Sequence, residues 1–229
     1  MKPLIVIPAR GGSKGVPRKN IKVLGDKPLI QWTIDEARKI FSDKNICIST
    51  DDEEIKTIVE DNGLKVPFLR PKELATDYAG TYEVLLHAIN YYENIGYYPD
   101  TLILLQPTSP FRTSEQIGEA IKYFNSCNDI EMLVSVKETK SNPYYMLREE
   151  NKNGFLVRSK ESNVTRRQDV PKVWELNGAI YIIDIDSLKN KNLNQFTKVK
   201  KFEMDEITSH DIDTIFDWEV ACTIVNNNL

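Results

Sequence analysis

The chain has 229 residues, a formal net charge of −4 and only two histidines; its length suits one domain with a full sheet covered by helices on both faces. This charge balance offers no global positive field, so nucleic acid polymers and anionic membranes are not expected partners, and any polyanion must be held by a local cluster of cations. Cys47, Cys127 and Cys222 stand far apart without a CxxC pair, which argues against a disulfide framework or a zinc site, and the first apolar run, Leu4 to Ile7, is too short for a signal peptide or a membrane span. A cytoplasmic protein is expected.

In chain order, β-rich runs alternate with helical periodicity. Strands are predicted at Leu4 to Ile7, Ile46 to Ser49, Val66 to Leu69, Thr101 to Leu105 and Met132 to Val136, and helices at Leu29 to Phe41, Glu53 to Asn62, Tyr82 to Tyr92 and Glu115 to Phe124. Such alternation is the signature of a mostly parallel sheet with crossover helices. Leu102 to Leu105 is apolar at every position, as a central strand covered on both sides should be. Pro28 fits a first helical position and Thr113 with Gln116 fits a capping box. His87 falls in a helical stretch, where a core or surface role is expected.

Around Ser141 the pattern changes. Asn142, Pro143, two tyrosines, the charged Arg148 to Lys152 stretch and Asn153-Gly154 predict a protruding hairpin. Its apolar Tyr144, Tyr145, Met146, Phe155, Leu156 and Val157 need cover, from a partner subunit or from the parent domain, and the partner is the preferred reading. Residues 1–229 are therefore read as a single domain, with 141–175 as a dimerisation or sugar-site extension. Ala179 to Ile183 and Val199 to Met204 are two further strands, and Thr214 to Val225 a closing amphipathic helix.

Directly after the first strand, Pro8 to Asn20 places Arg10, Lys14, Arg18 and Lys19 among three glycines. Glycine lets the main chain turn its N–H groups toward an anion, and Arg10 and Lys14 can neutralise phosphate charge. The loop lies where ligands of open α/β sheets sit, beyond the carboxyl ends of the strands. It is neither GxGxxG nor GxxxxGK[ST], which sets aside the usual dinucleotide and P-loop readings.

The stretch IPARGGSKGVPRKN closely resembles the signature of the N-acylneuraminate cytidylyltransferase family. Further blocks follow in family order: Arg70 to Asp77, Gln106 to Arg112, Arg167 to Pro171, Asn177 to Tyr181 and Asp211 to Thr214. The resemblance covers nearly the whole chain and extends to enzymes that make CMP-legionaminic acid. It implies a Rossmann-like nucleotide-diphospho-sugar transferase fold and transfer of CMP from CTP to a nonulosonic acid, with release of pyrophosphate.

By this resemblance Arg10 and Lys14 grip the triphosphate while Lys19 and Asn20 complete the nucleotide pocket. Arg18 is either part of that cluster or a solvated cation. Arg70 and the stretch from Leu74 to Thr81 border the cytosine, and Thr81 is alternatively the cap of the next helix. Gln106 and Arg167 face the acidic sugar, since a guanidinium fork suits a planar carboxylate, and Asn177 and Tyr181 join the sugar pocket, although Tyr181 also fits a core position. Asp211 and Asp213, two apart on an extended segment, send both carboxylates to one side and suit Mg2+, which uses one or two carboxylates together with substrate phosphates. Asp213 alternatively caps the last helix.

The expected reaction is in-line attack of the sugar's anomeric hydroxyl on the α-phosphorus of CTP, with CTP and a nine-carbon acidic sugar as ligands and a homodimer as the assembly. Alternatives are the same chemistry on legionaminic, pseudaminic or octulosonic acid, a nucleotidyltransferase using UTP or GTP, and a non-catalytic nucleotide-binding module. Glu175-Leu176 stands before Asn177 where some sialic acid enzymes carry Arg-Pro, which leaves the sugar open.

Overall fold

The computed structural model describes residues 1–76, 80–164 and 166–227. The strands are β1 (Pro3–Pro8), β2 (Val23–Leu24), β3 (Lys27–Pro28), β4 (Ile46–Ser49), β5 (Thr101–Leu104), β6 (Met132–Glu138), β7 (Arg148–Glu150), β8 (Leu156–Arg158), β9 (Trp174–Asp184) and β10 (Val199–Glu203). The helices are α1 (Leu29–Arg38), α2 (Glu53–Asp61), α3 (Thr81–Asn94), α4 (Ser114–Ser126), α5 (Ile185–Asn190) and α6 (Ile215–Asn226).

Among the described residues, six strands form the main sheet in the order β10-β6-β9-β5-β1-β4. β1 pairs in parallel with both β4 and β5, and β6 pairs in parallel with β10. Between these two parallel groups β9 runs antiparallel to both β5 and β6. Alternation along β1 explains the layering, because successive side chains of a strand point to opposite faces. Ile5 and Ile7 pack with α1, α2 and α4 through Ile30, Ile34, Ile55, Val59 and Ile117. Leu4 and Val6 pack on the other face with Leu85 and Ile89 of α3 and Leu188 of α5. Every residue of β5 is buried, as a strand covered on both faces requires. A third cluster joins Val16, Leu24 and Leu29 to Ile212 and to Trp218 and Ala221 of α6, and so ties the amino-terminal loop to the end of the chain.

Local chemistry explains the helix starts. The capping box of Thr113 and Gln116 is formed, and Thr214 with Asp217 forms a second one at α6. Asp52 caps α2 by accepting from the N–H groups of Glu54 and Ile55.

Several expectations are corrected. Val66 to Leu69 is not a strand; only Leu69 makes a bridge, to Thr50. Pro67 has no N–H to donate to a ladder, and the Val66 N–H is taken by the Glu60 carboxylate at 3.2 Å. Pro28 lies just outside α1 with extended backbone, because it closes the small β2–β3 ribbon. α1 ends at Arg38, three residues before Phe41, in a turn on the Ala37 carbonyl. Gly80 rather than Thr81 occupies the cap position of α3, and Thr214 rather than Asp213 caps α6. Among the described residues no helix is long and apolar enough to cross a membrane.

Candidate active site

The carboxyl ends of β1, β4 and β5 lie side by side, and the loops that leave β1 and β5, with the segment that leads into α3, build the walls of one open cavity of about 560 Å³. This is the edge at which ligands of open α/β sheets are held. The loop after β1 contributes Arg10, Ser13, Lys14, Gly15, Lys19 and Asn20. Arg70, Leu74 and Thr76 come from the segment before α3, Gly80, Thr81 and Val84 from its first turn, and Gln106 to Thr108 from the loop after β5. Asp213 closes the cavity from the far end of the chain.

The loop is anchored by two acids at the end of β4. Asp51 accepts the Gly11 N–H at 3.1 Å and faces the Arg70 guanidinium at 3.5 Å. Asp52 packs against Gly11 so tightly that a Cβ there would collide with its carboxylate. It also receives Arg18 through two hydrogen bonds, at 2.6 and 3.3 Å, and Arg18 reaches Glu54 as well. Arg18 sits in the left-handed region at φ 56°, a conformation that costs a non-glycine residue about 1 kcal/mol or more, and its ion pairs offset that strain. It is therefore a loop anchor outside the cavity lining. Asn20 donates to the Arg10 carbonyl at 2.9 Å and closes the turn from inside. The carboxyl-terminal segment completes the hold: Lys19 donates to the Ile212 carbonyl, and Gly15 packs on the Asp213 carbonyl so closely that a Cβ would collide with it.

Arg70 is 5% exposed, and burial lowers its pKa against the pull of Asp51. Among the described residues its Nε–H has no partner, and the neighbouring His87 Nδ1 is likewise buried and unpaired. His87 packs edge-on to Phe68 and burial pushes its pKa down, with Arg70 adding to the effect. The expected cytosine-bordering stretch includes Asp77, Tyr78 and Ala79, which lie outside the described residues.

Ile212 is buried between the two aspartates, which alternate with it as an extended segment dictates. Asp213 is exposed in the cavity wall, 3.2 Å from Lys19. Asp211 is more enclosed, beside Ser109 at 3.4 Å. Burial raises its pKa, Asp213 raises it further, and Thr108, Lys19 and Ser109 act against that rise. Among the described residues no group of three or more His, Cys, Asp or Glu side chains forms a metal cage. Two neighbouring carboxylates, one of them open to the cavity, are the donor set that suits a magnesium ion completed by water and phosphate oxygens.

Three expected sugar contacts stand apart from this cavity lining. Asn177 is buried and its amide is spent inside the protein: Ser135 donates to its Oδ1 at 2.5 Å and its Nδ2 donates to Ser209 at 2.8 Å. It fills a bulge of β9 opposite Ser135, where Gly178 adopts φ 72°. Tyr181 is half-buried against the core around α3, within electrostatic reach of Asp211. Arg167 is exposed in a short 3-10 turn and borders a separate shallow depression with Thr139 and Asn142. The anchoring roles of Asp51 and Asp52 had one legible signal, two acids directly after a predicted strand on the edge that also carries the cationic loop.

A cytidylyltransferase family model matches residues 4–211, from the first strand to the first of the two aspartates. The chain belongs to the cytidylyltransferase family. It is 36% identical over 219 residues to the CMP-N,N'-diacetyllegionaminic acid synthase of Campylobacter jejuni, covering 95% of this chain and 92% of that protein. It is 35% identical over 216 residues to an N-acylneuraminate cytidylyltransferase of Streptococcus agalactiae, covering 93% of this chain but only 51% of that longer protein. A solved CMP:2-keto-3-deoxy-manno-octonic acid synthetase superposes over the full length of both chains with a TM-score of 0.75 at 18% identity, which shows that this cytidylyltransferase shares its fold.

Proposed function

We propose that this cytidylyltransferase transfers CMP from CTP to the anomeric hydroxyl of a nonulosonic acid of the sialic type, releasing pyrophosphate. The observation that carries this reading is the meeting of a cationic glycine-rich loop and Asp213 in one cavity. Arg10, Lys14 and Lys19 neutralise the charge that develops on the α-phosphate and on the departing pyrophosphate, from positions fixed before the substrate arrives. Arg70, the main chain at Gly80 and the Thr81 hydroxyl offer the hydrogen bonds a cytosine ring needs. Gln106, at the mouth of the central strand, orients the sugar so that its hydroxyl attacks in line, and no covalent enzyme intermediate is required. Asp211 and Asp213 would hold Mg2+, which would supply Lewis-acid chemistry to the phosphate groups.

The sugar has a second reading. The legionaminic acid synthase matches over nearly its whole length, whereas the chain spans about half of the N-acylneuraminate enzyme, and Glu175 before Asn177 is paired with Lys137 at 3.6 Å. Legionaminic acid is therefore the alternative substrate of the same site. We also infer a homodimer. The β7–β8 hairpin leaves Phe155 and Leu156 69% and 71% exposed, an apolar face that a second copy would cover.

The test is direct. The protein is incubated with Mg2+, with CTP, UTP or GTP, and with each of N-acetylneuraminic, legionaminic, pseudaminic and octulosonic acid, and the products are identified by mass. The expected result is a CMP-sugar with a nine-carbon acid; consumption of none of these acids, or of UTP or GTP in preference to CTP, would overturn the proposal.

A further inference from the structure

The loop that leaves β5, Gln106 to Arg112, ends in a charged side chain that never reaches the cavity. Arg112 is 1% exposed. One terminal nitrogen donates to Thr33 Oγ1 of α1 at 2.9 Å and the other to the carbonyl of Gln106, so the last residue of the loop grips the first. Among the described residues its Nε–H has no partner. Among the described residues no carboxylate closes an ion pair with it, although Asp211 and Glu36 both pull on it electrostatically. A guanidinium held this deeply without a carboxylate partner is costly to desolvate, and burial accordingly lowers its pKa to about 9. Packing alone does not call for such a residue, because an apolar side chain would fill the same space without that cost.

What the loop carries supplies the reason. Between its clamped ends, the Thr108 carbonyl accepts the Ile212 N–H at 2.8 Å, and Ser109 Oγ lies 3.4 Å from Asp211 and donates to the Asn177 carbonyl at 3.0 Å. Gln106 itself lines the cavity. The segment bearing both aspartates therefore rests on a loop whose closure depends on one buried cation.

We propose that Arg112 is a positioning residue: its buried guanidinium clamps the 106–112 loop on which Asp211 rests, and so keeps this carboxylate in place to receive a divalent cation beside the nucleotide. This rests on the reading of Asp211 and Asp213 as the metal-binding pair. Side chains that orient metal ligands from behind change metal affinity or activity about 10–100-fold when replaced.

The test compares Arg112→Met, which loses both clamp and charge, with Arg112→Lys, which keeps the charge, and Thr33→Val, which removes one anchor and leaves the arginine. Binding of Mn2+ to the complex of each protein with α,β-methylene-CTP is read by electron paramagnetic resonance, alongside kcat, KM for CTP and thermal melting. For Arg112→Met the expected results are Mn2+ affinity and kcat each lowered about 10–100-fold with KM for CTP changed far less. Arg112→Lys should recover a large part of the Mn2+ affinity. Should Arg112→Met fail to fold, Arg112→Lys and Thr33→Val carry the test, with Mn2+ affinity lowered more than nucleotide affinity in both. Wild-type Mn2+ affinity in a folded Arg112→Met protein overturns the proposal. So does a parallel loss of melting temperature, nucleotide and metal that lysine does not relieve, which would mark a purely structural residue. A wild-type protein that activates no nonulosonic acid would defeat the substrate assignment, while the Mn2+ measurement would still report on Arg112.

Discussion

Lys19 and Asp213 form an ion pair at 3.2 Å although 194 positions separate them in the chain. The contact joins the loop after the first strand to the segment before the last helix, on the wall of the cavity that both line. Opposite charges that would attract a nucleotide's phosphates and a cation respectively are thus brought to one place by the fold.

Replacing Asp213 with Asn should cost catalysis far more than folding. Its side chain is 73% exposed, and such surface changes alter stability by only about 0.5 kcal/mol. Turnover should fall by on the order of 10²-fold, the scale of losing one preorganised electrostatic contact at the reacting centre. Pyrophosphate release at saturating CTP and Mg2+, measured beside thermal melting, checks this. Unchanged turnover would remove Asp213 from the reaction.

Two glycine substitutions should move stability in opposite directions. In Gly15→Ala the new methyl meets the main-chain carbonyl of Asp213, which cannot swing aside as a side chain can. A loss of about 1–3 kcal/mol is expected from this overpacking, with weaker CTP binding. Gly118 lies inside α4 with nothing within 4 Å of a Cβ, so Gly118→Ala should gain about 0.5–1 kcal/mol by restricting the unfolded chain. Denaturant midpoints of the two variants would show whether the signs differ.

The acid limb of stability should depend on Glu131. Lys191 and the main-chain N–H groups of Lys198 and Thr197 hold its pKa down to about 2. A folded-state pKa below the unfolded value of roughly 4.3 means that the unfolded chain takes up the proton first as pH falls. The contribution is therefore full at neutral pH, declines as pH drops below roughly 4.3 and is gone once it has passed about 2. Glu131→Gln should separate from the wild type most at neutral pH and converge with it at the acid end. Equilibrium unfolding at a series of pH values measures this, and a constant gap at every pH would refute it.

The hairpin offers a test of assembly. Phe155→Glu with Leu156→Glu changes two side chains that face solvent in the single chain, so the fold should survive. Light scattering should then show a dimer for the wild type and a monomer for the variant. A wild type already monomeric at micromolar concentration would remove the dimer inference.

Much of this architecture was legible because it rests on local rules. β1, β4 and β5 are short apolar runs that are buried on both faces, and Thr113 with Gln116 names the start of α4 from its own side chains. Val66 to Leu69 had strand-like composition, but Pro67 interrupts its donors, and the rule against proline in a ladder outweighed β propensity. The site was legible as an inventory: Arg10, Lys14, Lys19, Asn20, Arg70, Thr81, Gln106 and Asp213 do share one cavity.

Periodicity and motif spacing name residue types and the faces of single elements, and with them the α/β class, the cationic loop and the acidic pair. They are silent on which side chains the packed molecule consumes internally. Asn177 satisfies Ser135 and Ser209, Arg18 anchors on Asp52, and Arg112 disappears beneath its own loop. Each of these outcomes depends on partners between 6 and 79 positions away. A buried polar group must find its hydrogen bonds wherever the assembled chain supplies them, and local sequence carries no record of that place.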